Sequence, residues 1–282
     1  MLCKALEVSE SGYYAWKGRE PSQHCREDAR LSAAIQQIFL EHRQVYGSPR
    51  IHAVLKARGV ACGRKRVVRL MQQLGLSAVT KKRRKPTTRS TSGGRFAPNA
   101  LNREFGASWP NQKWVTDTKA VETAEGWLYL AVILDLFSRR VVGWKLGDSL
   151  ASELVEAALQ NALFLRQPSS GLIFHSDRGC QYTSQALGDK LRAIGVVQSM
   201  SAQGNCYDNA RAEAFFSSLK TECFPLSNCF ASKAQARREI FEYIEIYYNN
   251  QRLHNALDYQ TPKGYEAAWK AGKKYLFQRK RK

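Results

Sequence analysis

The chain predicts a mixed α/β domain, a five-stranded sheet with helices on both faces, preceded by a small all-α unit. Three observations carry this expectation. The run Trp127-Leu-Tyr-Leu-Ala-Val-Ile-Leu134 is apolar at odd and even positions alike, so a strand there must be covered on both sheet faces. After Trp109, strand-type segments alternate with helical ones, the pattern of layered α/β folds. Before Ser77, apolar residues recur only at helical spacing.

The helical unit is expected over residues 1–76. Residues 28–43 place Leu31, Ala34, Ile35, Ile38 and Phe39 on one side of a helix. A second helix is expected from Ser48, with Ser48 as the cap, Pro49 in the first turn, Ile51, Val54 and Leu55 inward, and Gly59 as the stop. A third is expected over residues 63–74, with Val67, Leu70, Met71 and Leu74 inward and Gly75 ending it. Lys65, Arg66 and Arg69 then fall opposite the apolar stripe and form an exposed basic face. Two helices joined by a tight turn, the second basic outside, describe a helix-turn-helix whose second helix enters a major groove. An ordinary bundle with a solvated face is the competing reading. The aromatic-rich stretch Ser9-Glu-Ser-Gly-Tyr-Tyr-Ala-Trp16 fits a further helix packed on the first.

Residues 77–108 read as a flexible basic linker, with Lys81, Lys82, Arg83, Arg84 and Lys85 followed by Pro, Thr, Ser and Gly-Gly. It serves either as a plain tether or as a strap along phosphates. The core is expected over 109–268, including a C-terminal helical extension, and a basic tail over 269–282. Strands are expected at 113–119, 127–136, 139–146, 171–175 and 196–199, with covering helices at 151–166 and 184–194.

A length of 282 residues, 44% of them hydrophobic, suffices for a sizeable core and a second small unit. The 44 basic against 24 acidic side chains give +20, a surface potential that attracts a polyanion. Nucleic acid is the expected partner. An anionic membrane surface lacks support, since no apolar run approaches the roughly 18 residues of a span and no secretory signal opens the chain. A cytoplasmic, nucleoid-associated protein is expected. The seven cysteines are scattered, never Cys-x-x-Cys, and no pair falls at ligand spacing from His24, His42 or His52; reduced, mostly buried thiols and no zinc site are expected.

Three carboxylates suit metal chemistry in such a sheet. Asp117 falls in the first strand, Asp177 just past the fourth, and Glu213 inside a helix that Asp208 or Asn209 would cap. Magnesium is a hard cation that takes carboxylate oxygens, and a pair of ions can activate an attacking oxygen while stabilising a leaving one. On a helical wheel Glu213 shares one edge with Lys220, beside the stripe of Ala212, Phe215, Phe216 and Leu219, so the lysine can touch the same DNA backbone. The 35 residues between Asp177 and Glu213 form a weak signal alone.

The surrounding motifs are more specific. Trp114-Val-Thr-Asp117-Thr, Tyr129-Leu-Ala-Val-Ile-Leu-Asp135-Leu-Phe-Ser-Arg139-Arg-Val-Val-Gly143-Trp144, His175-Ser-Asp177-Arg-Gly-Cys-Gln-Tyr-Thr-Ser184, Gly204-Asn-Cys-Tyr-Asp-Asn-Ala210-Arg-Ala-Glu213-Ala-Phe-Phe-Ser-Ser-Leu-Lys220 and Tyr248-Asn-Asn-Gln-Arg252-Leu-His254 occur in this order. With Tyr46-Gly47 and the helix-turn-helix, the chain resembles the insertion-sequence transposases of the insertion sequence three type, the product of their second reading frame, over nearly its whole length. The resemblance implies a ribonuclease-H-like integrase core with Asp117, Asp177 and Glu213 as catalytic metal ligands, Lys220 as the basic residue after the glutamate, and magnesium or manganese as a pair of ions. It implies cleavage and strand transfer at element ends, terminal repeats and target DNA as partners, and a homo-oligomer on DNA. It also implies an upstream-frame protein supplying a further helix-turn-helix and a leucine zipper, since no zipper heptads occur here. A noncatalytic DNA-binding regulator and a ribonuclease-H-like nuclease are the alternatives.

Other residues keep two readings. His175 either polarises the site from behind its carboxylates or is a satisfied structural histidine. Arg252 and His254, expected on a polar, aromatic-rich helix, contact DNA or face solvent. The tail Gln278-Arg-Lys-Arg-Lys282 is a phosphate contact or a disordered end. Asp135 is expected to bond its own turn.

Overall fold

The computed structural model describes residues 3, 6–79, 96–202 and 206–272. The chain divides into two compact units, Met1–Ala78 and Val79–Lys282.

The first unit is helical. Helix α1 (Glu10–Lys17) is capped by Ser9, whose Oγ accepts from the Gly12 amide at 3.1 Å, and it buries none of its residues. The aromatic stretch is thus helical, but Tyr14 and Trp16 stand in solvent instead of packing on the next helix. Helix α2 (Gln23–Glu41) starts earlier than the apolar period showed, because Ser22 caps it through the Cys25 amide. Helices α3 (Ser48–Ala57) and α4 (Arg64–Gln73) follow. Leu31, Ile35, Ile38, Phe39, Ile51, Leu55, Val67, Leu70 and Met71 are buried, as the spacing predicts. Three details differ. Gly47, not Ser48, is the cap of α3 and makes no side-chain bond, Leu74 is 36% exposed at the frayed end of α4, and Val54 is only half-buried. Gly59 and Gly75 hold φ of +77° and +65°, left-handed conformations that end helices at little cost to glycine.

The second unit is built on one sheet. Its strands are β1 (Lys113–Thr123), β2 (Gly126–Asp135), β3 (Val141–Gly147), β4 (Ile173–Ser176), β5 (Val197–Met200) and the short β6 (Cys229–Phe230). The order is β3-β2-β1-β4-β5, with β6 beside the far end of β1. The first three strands pair antiparallel, and β4 and β5 join them in parallel. This is the ribonuclease-H-like arrangement, with one strand more than expected: β6 adds only two residues, Glu122 opposite Cys229 and Thr123 opposite Phe230, too few to leave a periodic signal.

Alternation along β2 divides the core in two. Leu128, Leu130, Val132 and Leu134 pack with α7 (Ala210–Glu222), α8 (Lys233–Phe241) and the π-helical turns Glu242–Tyr248. Ala131 and Ile133 pack with α5 (Ser152–Arg166) and α6 (Gln185–Ala193) on the opposite face. Gly143 allows α5 to lie directly on β3, because a Cβ there would meet Ala158 O at 2.4 Å and Ala162 Cβ at 2.6 Å. None of the described helices is long and apolar enough to cross a membrane.

Residues 96–108, read as linker, pack on this unit instead. Leu101 and Ala107 are buried, and the Leu101 amide donates to Ser199 Oγ at 3.1 Å. Lys81, Lys82, Arg83, Arg84 and the tail 278–282 lie outside the described residues.

The C-terminal helix α9 (Pro262–Lys270) is locked to the β2–β3 turn. Phe137 meets Tyr265 and Trp269 at ring distances of 5.1 and 5.9 Å. Buried Glu266 accepts from Ser138 Oγ at 2.8 Å, from Arg140 at 2.8 Å, and from both terminal nitrogens of Arg166 at 2.7 and 2.8 Å. The Asp135 carboxylate accepts from the Phe137 and Ser138 amides at 2.8 and 3.1 Å, the self-closing turn expected of it. Glu266→Ala leaves the buried Arg166 guanidinium with only the more distant Asp135 carboxylate at 3.9 Å, and a loss of about 3 kcal/mol in unfolding free energy is expected from chemical denaturation.

Candidate active site

The site begins with strand register. β1 and β4 run parallel with Val115 opposite His175; Asp117 follows two residues on within β1 and Asp177 one residue past the end of β4, close enough for its charge to act on Asp117. Asp117 Oδ1 accepts from the Thr118 amide at 2.7 Å, and Asp177 Oδ1 accepts from the Gly179 amide at 3.0 Å. One oxygen of each carboxylate is therefore oriented by backbone.

The 177–182 loop is tied to β1 by side chains. Gln181 Nε2 donates to Thr118 Oγ1 at 3.2 Å, and the hydroxyls of Tyr182 and Thr116 are 3.1 Å apart in full burial. A Cβ at Gly179 would meet the Gln181 amide group at 2.4 Å, so a larger residue there would displace the Gln181 side chain from its place in the loop. Neither Gln181 nor Tyr182 was singled out above, although both stand in the quoted His175–Ser184 motif.

Electrostatics follow from this closeness. Burial, then the negative charge of Asp177, pushes the Asp117 carboxyl up to about 7, against the pull of the Thr118 amide and Lys119, with Glu213 adding to the rise. Burial also raises Asp177. Two acids that resist ionisation together have oxygens suited to a hard divalent cation.

Glu213 stands exposed in the first turn of α7. The helix start is stitched to β1 by Asn209, the cap residue, whose Nδ2 donates to Thr116 O at 3.0 Å beside Asp117. Neither residue expected to cap α7 through its side chain does so. Asp208 instead accepts from Ala202 N, Arg103 and Asn99 at 2.8, 2.7 and 3.0 Å, binding the 96–108 segment to this corner. Among the described residues no three His, Cys, Asp or Glu side chains stand close enough to hold a metal ion. Asp117 and Asp177 are together, and Glu213 reaches them through its field.

The remaining candidates divide. Lys220 is half-buried on α7. His175 is buried, its Nδ1 2.8 Å from Ser199 Oγ and its Nε2 3.2 Å from Ser201 Oγ, and burial pulls its pKa down to about 4; its contacts are those of a satisfied neutral ring. Arg252 is not on a helix and is not a surface residue. Its Nε and NH2 grip the Glu222 carboxylate at 2.7 and 2.6 Å, and Tyr243 donates to the same carboxylate at 2.9 Å. In the helical unit Lys65 is exposed, but Arg66 and Arg69 bind Asp28 at 2.7 and 2.6 Å and so tie α4 to α2. Of the cysteines described, Cys223 alone is buried, while Cys25 and Cys180 are exposed.

Comparison with known proteins agrees with this architecture. A family model described as an HTH-like domain matches residues 26–84, and two described as an integrase core domain match 107–206 and 213–268. A 31 kDa protein of insertion element IS600 from Shigella sonnei is 40% identical over 93% of this chain and 96% of its own length. The transposase of insertion sequence element IS904 from Lactococcus lactis is 40% identical over 88% of this chain and 98% of its own. The InsF transposase of insertion sequence IS3A from Escherichia coli is 38% identical over 94% and 92%.

Two outcomes follow from the geometry. Because Asp117 holds its proton more tightly when folded, to about 7 against an ordinary 3.8, metal-free protein binds more protons folded than unfolded between those values and loses stability as pH rises through them. Asp117→Asn removes that loss: in a chelator, its thermal unfolding midpoint exceeds that of the parent at about pH 8 and the excess vanishes near about pH 3.5. Arg252→Ala strands a buried carboxylate, and a loss of about 3 kcal/mol in stability is expected. The same variant keeps its salt dependence of DNA binding, and a salt slope shallower by about one with unchanged unfolding restores Arg252 as a phosphate contact.

Proposed function

Because this chain belongs to the IS3-type insertion-sequence transposases, we propose that Asp117, Asp177 and Glu213 carry its strand cleavage and strand transfer on magnesium or manganese. The protein is a transposase of the integrase-core type, a polynucleotidyl transferase. The observation that carries the assignment is the parallel pairing of β1 with β4, which leads two half-buried acids, Asp117 in β1 and Asp177 just past β4, to where the charge of Asp177 bears on Asp117.

The donor chemistry fits a divalent cation. Carboxylate oxygens are its preferred ligands, and Asp117 and Asp177 have one oxygen each fixed by an amide. When bound, a pair of such ions would supply activation of the attacking oxygen and stabilisation of the leaving one. The protein's own part is positioning. Gln181 and Tyr182 hold the Asp177 loop against β1, and Asn209 fixes the start of the helix that presents Glu213. Hydrolysis at an element end frees a 3′-hydroxyl, which then attacks a second phosphodiester, and no serine, tyrosine or cysteine nucleophile is required.

The helical unit binds the terminal repeats through the outer face of α4, where Lys65 is exposed. Arg66 and Arg69 contribute shape there, their charges being engaged by Asp28. The basic 81–84 run adds phosphate contacts, and Lys220 contacts DNA near Glu213. The working assembly is an oligomer on DNA in the cytoplasm, with an upstream-frame protein as a further partner.

Joining of labelled element ends in the presence of magnesium tests this reading. Asp117→Asn, Asp177→Asn and Glu213→Gln each remove several kcal/mol of transition-state stabilisation, so joining falls by about a thousandfold or more while DNA binding persists. A Glu213→Gln protein that still joins ends overturns the assignment; cutting without joining supports a nuclease, and binding alone a regulator.

A further inference from the structure

We infer that the segment 96–105 is an aromatic platform that holds Arg178 and Arg211 ready to grip two backbone phosphates of DNA bound at the carboxylate site, an inference that rests on the active-site assignment above. The guanidinium of Arg178 lies over the Phe96 ring at 4.4 Å, and that of Arg211 over the Phe105 ring at 5.3 Å. Both rings come from one short segment, and both arginines adjoin a proposed catalytic carboxylate: Arg178 follows Asp177, and Arg211 precedes Glu213 by two residues in the first turn of α7.

The charges of the two arginines are left over. Among the described residues neither lies within 4.0 Å of a carboxylate, whereas Arg103, on the same segment, is paired with Asp208 at 2.7 Å. An aromatic face orients a guanidinium without neutralising it. Arg178 is fixed further by its Nε, which donates to Ser201 O at 2.8 Å and leaves the terminal nitrogens of the fork for another acceptor. Around Arg211 a like charge accumulates: the Arg139 guanidinium is held down to about 10 by burial and then by Arg211, and its NH1 is buried without a hydrogen-bond partner. Two cations whose charges act on each other are relieved by an anion, and Arg211 lies in the first turn of a helix, where an anion is favoured.

A guanidinium oriented on a ring and left unpaired binds a phosphodiester with little ordering cost. The platform is itself anchored, since Leu101 is fully buried and its amide donates to Ser199 Oγ. A purely structural role for the stacked arginines predicts loss of stability on substitution and no effect on phosphate recognition.

The test uses the full chain and a duplex carrying one element end, with calcium in place of magnesium so that nothing is cut. Arg178→Gln and Arg211→Gln each weaken binding about tenfold and make the slope of log K against log salt shallower by about one. Arg178→Lys keeps the charge but not the stacked fork and falls between. With single neutral methylphosphonates walked along the strand, each Gln variant becomes indifferent to one substitution that weakens the parent. Unchanged salt slopes with a lowered unfolding midpoint, or equal sensitivity of variant and parent at every phosphate, overturn the inference. A failed active-site assignment shows in the joining assay with magnesium, and a failed platform shows in the binding and salt slopes with calcium.

Discussion

Two carboxylates of like charge are brought near each other by two parallel strands and the loop that leaves one of them, and much of the second unit is organised around that unfavourable interaction. Asp117 cannot move away, because β1 is paired on both sides, with β2 antiparallel and β4 parallel. Asp177 cannot either, because Gly179, Gln181 and Tyr182 close its loop back onto β1. The strain is electrostatic and is visible as the raised proton affinity of Asp117. Partial burial makes each charge costly and weakens the screening of the pair by solvent.

The helix that brings the third acid is fixed at both ends by polar contacts of different kinds. At its start Asn209 reaches Thr116 O, one residue before Asp117. At its end Glu222 is clasped by Arg252 and Tyr243, where desolvation works against the charge of Arg252 and the hydrogen-bonded carboxylate more than offsets it, raising its proton affinity. Between them Ala212, Phe215, Phe216 and Leu219 face the sheet. Hydrophobic burial alone would allow a helix to slide along a sheet by fractions of a turn. Two directional anchors remove that freedom and fix where the first turn, with Glu213, lies.

The C-terminal extension is part of the same construction. Glu266 gathers Ser138, Arg140 and Arg166 onto α9, and these come from the β2–β3 turn, from β3's entry and from the end of α5. Breaking that cluster would loosen both faces of the sheet together. Residues 96–108 do the equivalent at the opposite corner, where Arg103 and Asn99 meet Asp208. Both segments look polar and nondescript in isolation, yet each carries buried anchors.

Local order was legible in the sequence wherever a single period decides the matter. The two-sided apolar run of β2 required helices on both faces, the 3.6-residue repeats marked the helices, and Gly59 and Gly75 marked their ends. The acids Asp117, Asp177 and Glu213 stood out through their motifs. Tertiary structure alone decided the fate of charges and small contacts. Arg252, Arg66 and Arg69 read as surface cations, but their partners Glu222 and Asp28 lie 30, 38 and 41 residues away, and no local pattern reports a distant counter-ion. The two-residue β6 and the docking of 96–108 escaped for the same reason. Periodicity reflects what a segment does along its own axis, whereas ion pairs and anchors depend on which segments the fold brings together.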